Sequence, residues 1–552
     1  MTAEIALQRN DCGRAASNYA NAAQRLPDVK LAERAATVAL DCGQYQAAER
    51  SAERWRQLTS PNNPEALKAA MRADLGLYRI DEARSAFEGW MRTRQQDVQK
   101  QAGEKAGAGE KSKDDAPKDD AKVVAASMTE LAQRSGIGAT FAMLRGSQVP
   151  QLRSGPALLA MSALAIDGWN YQEAAQYAQR ALNAGAERAP AELVLARAYA
   201  GLGDGDQAVA AANAARAAAP KEQSFAPADV LVLLGRDREA RVELERLRDS
   251  GTAPIPAQAE RRLGLMAFDQ GNYDDAKSIF TQLMKDPESS AVAVYYLSAI
   301  AERRGDNGTA LHGYQLLSGT ALEGAARTRA ATILYKDGQR STALQLLQPS
   351  DTAAPTARLE AEVAQALLLV NNGEGSQALA RIDDALARFP DHPDLLYQKA
   401  IVLEKTGHTD AAITQLEDLN RQRPQDATVT NALGFLLADH SRELPRADKL
   451  ISAALKAEPD NPAVLDSKAW VEFRQGQSRA ALPLLERAFH LDQDGDIGAH
   501  WGEVLWSVGD KTRARETWNR ALIVDPDNAS VKAAQQRAGV PSLPSSGTGI
   551  SI

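Results

Sequence analysis

The stretch Gly495–Pro526, GDIGAHWGEVLWSVGDKTRARETWNRALIVDP, decides the fold. Gly502, Leu505, Gly509, Ala514, Trp518, Ala521 and Pro526 stand at its positions 8, 11, 15, 20, 24, 27 and 32. Small residues at 8 and 20 let two helices cross closely, and a bulky residue at 24 fills the groove against the next pair. Proline at 32 cannot continue a helix. The stretch therefore reads as one helix-turn-helix unit.

The same text recurs upstream. Closing prolines Pro390, Pro424, Pro459 and Pro526 fall 34, 35 and 67 residues apart, and Gln493 stands where the missing proline would divide the last interval. The preceding unit carries Ala469, Gly476, Ala481, Leu485 and Ala488 at the matching places. The unit before that carries Gly434, Leu437, Ala447, Ile451 and Ala454, with one extra residue in its turn HSRELP. A period near 34 with this pattern resembles the tetratricopeptide repeat. The expected fold class is all-α, a superhelical solenoid of about 11–13 such repeats.

Composition agrees. A single core of 552 residues would be exceptional, whereas a solenoid grows by adding units that touch only their neighbours. The chain is 5% aromatic and rich in helix formers, with no alternating valine or isoleucine runs that would mark strands. Its net charge is −8, and no basic stripe interleaved with aromatics tracks a phosphate backbone, so nucleic acid is not an expected partner. The longest apolar runs, such as ALLLV at 366–370, fall far short of the roughly 20 residues that cross a bilayer.

Along the chain, residues 1–95 read as N-terminal repeat units around Ala16, Ala48 and Ala83. If Ala16, Ala20 and Ala23 take positions 20, 24 and 27, the unit's first position precedes Met1. The first unit is then clipped, and the natural protein is expected to begin upstream with a removed targeting segment; an imperfect terminal repeat accounts for the same text. Residues 96–121, dense in Lys, Asp, Gly and Ala, are expected to be a disordered charged linker. Residues 122–358 hold degenerate units around Ala174, Ala208, Ala240, Ala310 and Ala343 with a strong one around Ala276, entered through an atypical helical pair at 122–154. The regular array occupies 359–527, a capping helix 528–539 and a flexible tail 540–552.

Several motifs carry no chemistry. The six histidines are scattered, without the spacing a zinc hydrolase needs, so no metal site or cofactor is assigned. AGAGEKS at 106–112 lacks the glycine that must precede the lysine of a phosphate loop. In DQDGDIGAHWGE, Asp492, Asp494, Asp496 and Glu503 match four positions of a calcium loop, but Ile497 takes the place of the required glycine, so helix capping is the better account. Cys12 and Cys42 both occur as Asp-Cys-Gly, in what read as corresponding turns of consecutive repeats. Stacked repeats are spaced on the order of 10 Å, more than the roughly 4.4–6.8 Å between Cα atoms that a disulfide takes. Mobile turns would close the difference, so bonded and free states both stay open. A bond would argue for an oxidising compartment.

Function is expected on the face formed by the first helix of each repeat, where positions 2, 5, 9, 12 and 13 point. These give Tyr397, Ile401 and Glu404; Asn431, Phe435 and Asp439; Asp466, Trp470, Phe473 and Arg474; and Glu503 with Trp506. Aromatics beside charges are what protein-binding hot spots are made of, with packing inside the array as the competing account. Trp501 and Trp518 fall at packing positions. The Lys and Asn set of a carboxylate-clamp cochaperone is missing.

Residues 430–528, TNALGFLLADH through IVDPDN, resemble the C-terminal half of proteobacterial tetratricopeptide-repeat envelope lipoproteins. That group includes an outer-membrane adaptor that activates a periplasmic carboxyl-terminal processing protease and delivers cell-wall hydrolases to it. The resemblance implies a non-catalytic scaffold on the periplasmic side of the outer membrane, with protein partners. Any membrane connection would run through a lipidated cysteine that this sequence does not contain; no apolar run precedes Cys12. A cytoplasmic assembly chaperone or regulator is the alternative. A repeat-bearing glycosyltransferase is a third reading, although little ordered sequence is left for a catalytic block.

Overall fold

The computed structural model describes residues 2–9, 11–107, 116–219, 224–348 and 355–540. The expected flexible tail lies outside them after Val540, as does 108–115 within the charged segment. Among the described residues there are 31 α-helices, one short 3-10 helix and no strand. The fold is the all-α helical-repeat solenoid.

The pairing follows from small residues. A buried alanine marks the second helix of each pair from Cys12–Arg25 to Lys511–Val524. Ala174, Ala208, Ala276, Ala447, Ala481 and Ala514 are all wholly buried. In the quoted unit the helices are Gly495–Ser507 and Lys511–Val524. A Cβ on Gly502 would overlap the Trp518 indole, which is itself fully buried and donates to the Ala499 carbonyl at 3.3 Å. Gly509, at φ +93°, makes the turn, and Asp510 caps the second helix by accepting from the Arg513 amide. The degenerate units keep the alanine and shorten a helix: Ala226–Leu233 has 8 residues and Arg340–Leu346 has 7.

One expectation is corrected. The charged segment at 96–121 is helical at both ends, since Ile80–Gly107 runs into it and Ala116–Ser135 begins within it. Alanine, lysine, glutamate and glutamine are strong helix formers, and extending a helix already nucleated by packing costs little even where nothing is buried. Beyond the regular array, Ala529–Arg537 forms the end helix, with Val531 and Ala534 buried.

The chain divides into two compact units, each drawn from two blocks of sequence: 1–194 with 349–433, and 195–348 with 434–552. The array 359–527, continuous in sequence, is thus shared between them, and the division falls inside helix Ala427–Asp439. Within the first unit, Pro390 lies on Gly13 and His392 on Gly43, and Gln44 Nε2 donates to the Pro390 carbonyl at 2.7 Å. Within the second, Arg303 donates to the carbonyls of Ile523 and Val524 at 3.1 and 2.6 Å, and Lys336 pairs with Asp527 at 2.7 Å.

Cys12 and Cys42 are disulfide-bonded, with their Cα atoms 5.5 Å apart. Their triplets stand at corresponding turns, each between the two helices of its pair, but at opposite ends of them. Cys12 opens the second helix of its pair, Cys12–Arg25, whereas Cys42 caps the end of a first helix, Val29–Asp41. The repeated triplet hid this offset, since Cys12 stands four residues before Ala16 and Cys42 six before Ala48.

Candidate protein-binding face

The expected face residues fall in both units. Tyr397, Ile401 and Glu404 lie on Pro393–Lys405 and Asn431 on the first part of Ala427–Asp439, all half-buried and all in the first unit. Burial, and then the nearby Asp426 carboxylate, raise the Tyr397 hydroxyl above its ordinary range. Asn431 Oδ1 is buried without a hydrogen-bond partner. The other residues lie in the second unit and are coupled to one another.

There the helices Pro462–Arg474 and Gly495–Ser507 supply most of the face, with Phe435 and Asp439 from the end of Ala427–Asp439. Trp470 does not stand free: it is 4% exposed. Its indole N–H donates to Asp439 Oδ1 at 3.0 Å, and its ring stacks on His500 with centroids 4.0 Å apart and planes 22° apart. Phe473 and the Arg474 guanidinium border the same ring at 5.3 and 5.7 Å. Arg474 also reaches Asp439 at 3.8 Å. Asp466 is equally enclosed, 6% exposed, and both its oxygens lie 2.9 Å from His500 Nδ1. A desolvated indole with its one donor satisfied is a packing element, so the expectation of Trp470 and Asp466 as exposed contact residues is corrected.

His500 is what the sequence reading missed. Burial alone would push its pKa down, but Asp466, with smaller help from Asp496 and Asp439, outweighs burial and raises it. The signal was available in the period: His500 follows Asp466 by 34 residues, so one repeat sets the two side chains against each other. Phe435 flanks the imidazole at 5.8 Å. What stays open on this face is half-buried Phe435, Phe473 and Arg474, laid over the His500–Trp470 stack.

The last repeat is closed differently. Glu503 pairs with Arg537 of the end helix at 2.6 Å. Trp506 is half-buried, 5.8 Å from Trp518, with Lys511 and Arg515 over its ring at 5.1 and 5.3 Å. Trp518 and Trp501, 0% and 8% exposed, are core as expected. Asp494 caps Gly495–Ser507, accepting from the amides of Asp496 and Ile497 at 2.8 and 3.3 Å. Among the described residues no group of three or more His, Cys, Asp or Glu gathers as a metal site, and no helix is long and apolar enough to cross a membrane.

Comparison with known proteins agrees with the repeat geometry. Two family models, both described as tetratricopeptide repeat, match residues 261–318 and 369–434. A curated relative, TPR repeat-containing protein PA4667 of Pseudomonas aeruginosa, is 30% identical over 211 residues, which is 38% of this chain and 36% of the relative's length. Among solved structures, a thermophilic TPR protein of Thermus thermophilus is 20% identical and covers 32% of this chain and 97% of its own, with a TM-score of 0.30. A tetratricopeptide repeat protein from Parabacteroides merdae is 16% identical and covers 46% and 99%, with a TM-score of 0.33. The helical-repeat solenoid thus carries tetratricopeptide repeats at 261–318 and 369–434, and such repeats generally mediate binding to other proteins.

Proposed function

We propose that this protein is a non-catalytic adaptor of the bacterial cell envelope, which holds a periplasmic protease and its cell-wall hydrolase substrates near one another. The observation that carries the reading is the open part of the second unit's face. Phe435, Phe473 and Arg474 present apolar and cationic surface over a stack fixed by Asp439, Asp466 and His500. Preorganised aromatic and arginine groups lose little entropy on binding and suit a protein partner. Docking of two partners on different repeat blocks would raise their effective concentration towards each other with no chemistry by the scaffold. The Cys12–Cys42 bond favours an oxidising compartment over the cytoplasmic alternative.

The test is affinity capture from separated envelope and cytosolic extracts, with the parent chain and a Phe435→Ala/Phe473→Ala variant as baits. Envelope proteases or hydrolases retained by the parent and lost by the variant support the reading. Cytosolic partners alone would transfer the protein to the chaperone or regulator reading, and equal capture by both baits would remove the face from it.

A further inference from the structure

The first unit is closed by a contact the adaptor reading does not use. The turn 389–392, between helices Gly375–Arg388 and Pro393–Lys405, lies on the first two helix pairs. Pro390 covers Gly13, where any Cβ would run into the pyrrolidine ring. His392 covers Gly43, where the imidazole and a φ of +64° both exclude a side chain. Farther along the seam the Arg423 guanidinium stands 4.4 Å from the Tyr78 ring centre and pairs with Asp426 at 3.2 Å. A cavity of about 350 Å³ follows this seam, bordered by Tyr45, Arg50, Gly76, Gln422 and Arg423.

The two glycine seats are next in sequence to Cys12 and Cys42, so one covalent bond fixes the spacing of the places where Pro390 and His392 rest. The bond adds to packing: Cys12–Arg25 lies against Val29–Asp41 and Tyr45–Leu58, with Ala15, Ala35 and Ala48 wholly buried, while the first pair's leading helix, Thr2–Gln8, has only 7 residues. The closed seam also leaves His392 Nδ1 and Arg423 Nε buried without hydrogen-bond partners, which works against closure.

We propose that the Cys12–Cys42 disulfide is the brace of this clasp. Oxidised, it holds both glycine seats in register and keeps the first unit shut. When a dithiol supplies two electrons and two protons, Cys12 and Cys42 become thiols, the dithiol closes to its own disulfide, and the seam opens together with its cavity. This device is independent of which partner the second unit binds.

Hydrogen exchange by mass spectrometry on the full chain tests it, comparing oxidised protein, dithiothreitol-reduced protein and the Cys12→Ser/Cys42→Ser variant. Amides at 389–396 and 42–47 should exchange about tenfold faster or more in the latter two, while 155–183 in the same unit stays protected. Gly13→Val should open the seam in the oxidised protein, because its side chain displaces Pro390. Unchanged seam exchange after alkylation has verified reduction would overturn the proposal. Faster exchange spread over 155–183 would also overturn it, by making the bond a general staple, and so would a protected seam in Gly13→Val.

Discussion

His500 lies flat against Trp470, one repeat away, and the carboxylate that holds the imidazole, Asp466, sits on the same helix as the indole. The face of the second unit is therefore built from the inside. The buried Asp466–His500 pair and a satisfied indole fix its frame, and the groups above them stay half in solvent.

Replacing Trp470 should then damage the fold before it damages binding. Truncating a buried indole typically costs about 3–5 kcal/mol, so Trp470→Ala should lower the urea midpoint of the second unit steeply. Phe473→Ala removes a ring already half in solvent and should cost less than about 2 kcal/mol. Equal losses would contradict the division into frame and contact surface.

The two units should answer pH in opposite directions. His500 is raised above its ordinary value of 6.5 by Asp466. Its contribution to the second unit is fully present below that value and is lost as pH rises through the folded-state value. His392 is lowered, chiefly by burial with Arg423 adding to it and Asp394 opposing. Its contribution to the first unit is present above 6.5 and falls as pH drops below that towards the folded-state value. Exchange measured unit by unit at mildly acidic and mildly alkaline pH should show protection of 495–507 falling on alkalinisation and protection of 389–396 falling on acidification.

Glycine substitutions should separate three causes. Gly502→Ala drives a methyl into Trp518 and should cost about 1–3 kcal/mol by overpacking. Gly509→Ala meets no neighbour but must hold φ at +93°, a left-handed strain of about 1–2 kcal/mol. Gly324→Ala has open space inside helix Glu323–Lys336 and should stabilise by about 0.5–1 kcal/mol. Thermal unfolding of the three variants gives the order directly.

The repeat was legible because its determinants are local: one alanine per pair, a turn glycine, a bulky residue in the groove. Those choices appear at a fixed period whatever the rest of the chain does. The use of each face residue was less legible, because it depends on the neighbouring repeat. Trp470 at a groove position looks identical in sequence whether it faces solvent or His500. His500 itself, off the groove pattern, became meaningful only beside Asp466. The Pro390–Gly13 and His392–Gly43 contacts join residues hundreds of positions apart, which no periodicity encodes. At 96–121 the low apolar content hid the helix propensity of its alanine, lysine, glutamate and glutamine.

The central claim is that the open part of the second unit's face meets another protein. In-cell photo-crosslinking from a probe amino acid at position 473 tests it most directly, with the same probe at exposed Val242 of that unit as the comparison. The account predicts discrete crosslinked products from position 473, containing an envelope protease or cell-wall hydrolase and missing from the Val242 probe. The same products from both positions, or none from 473 while the protein remains folded, would contradict it.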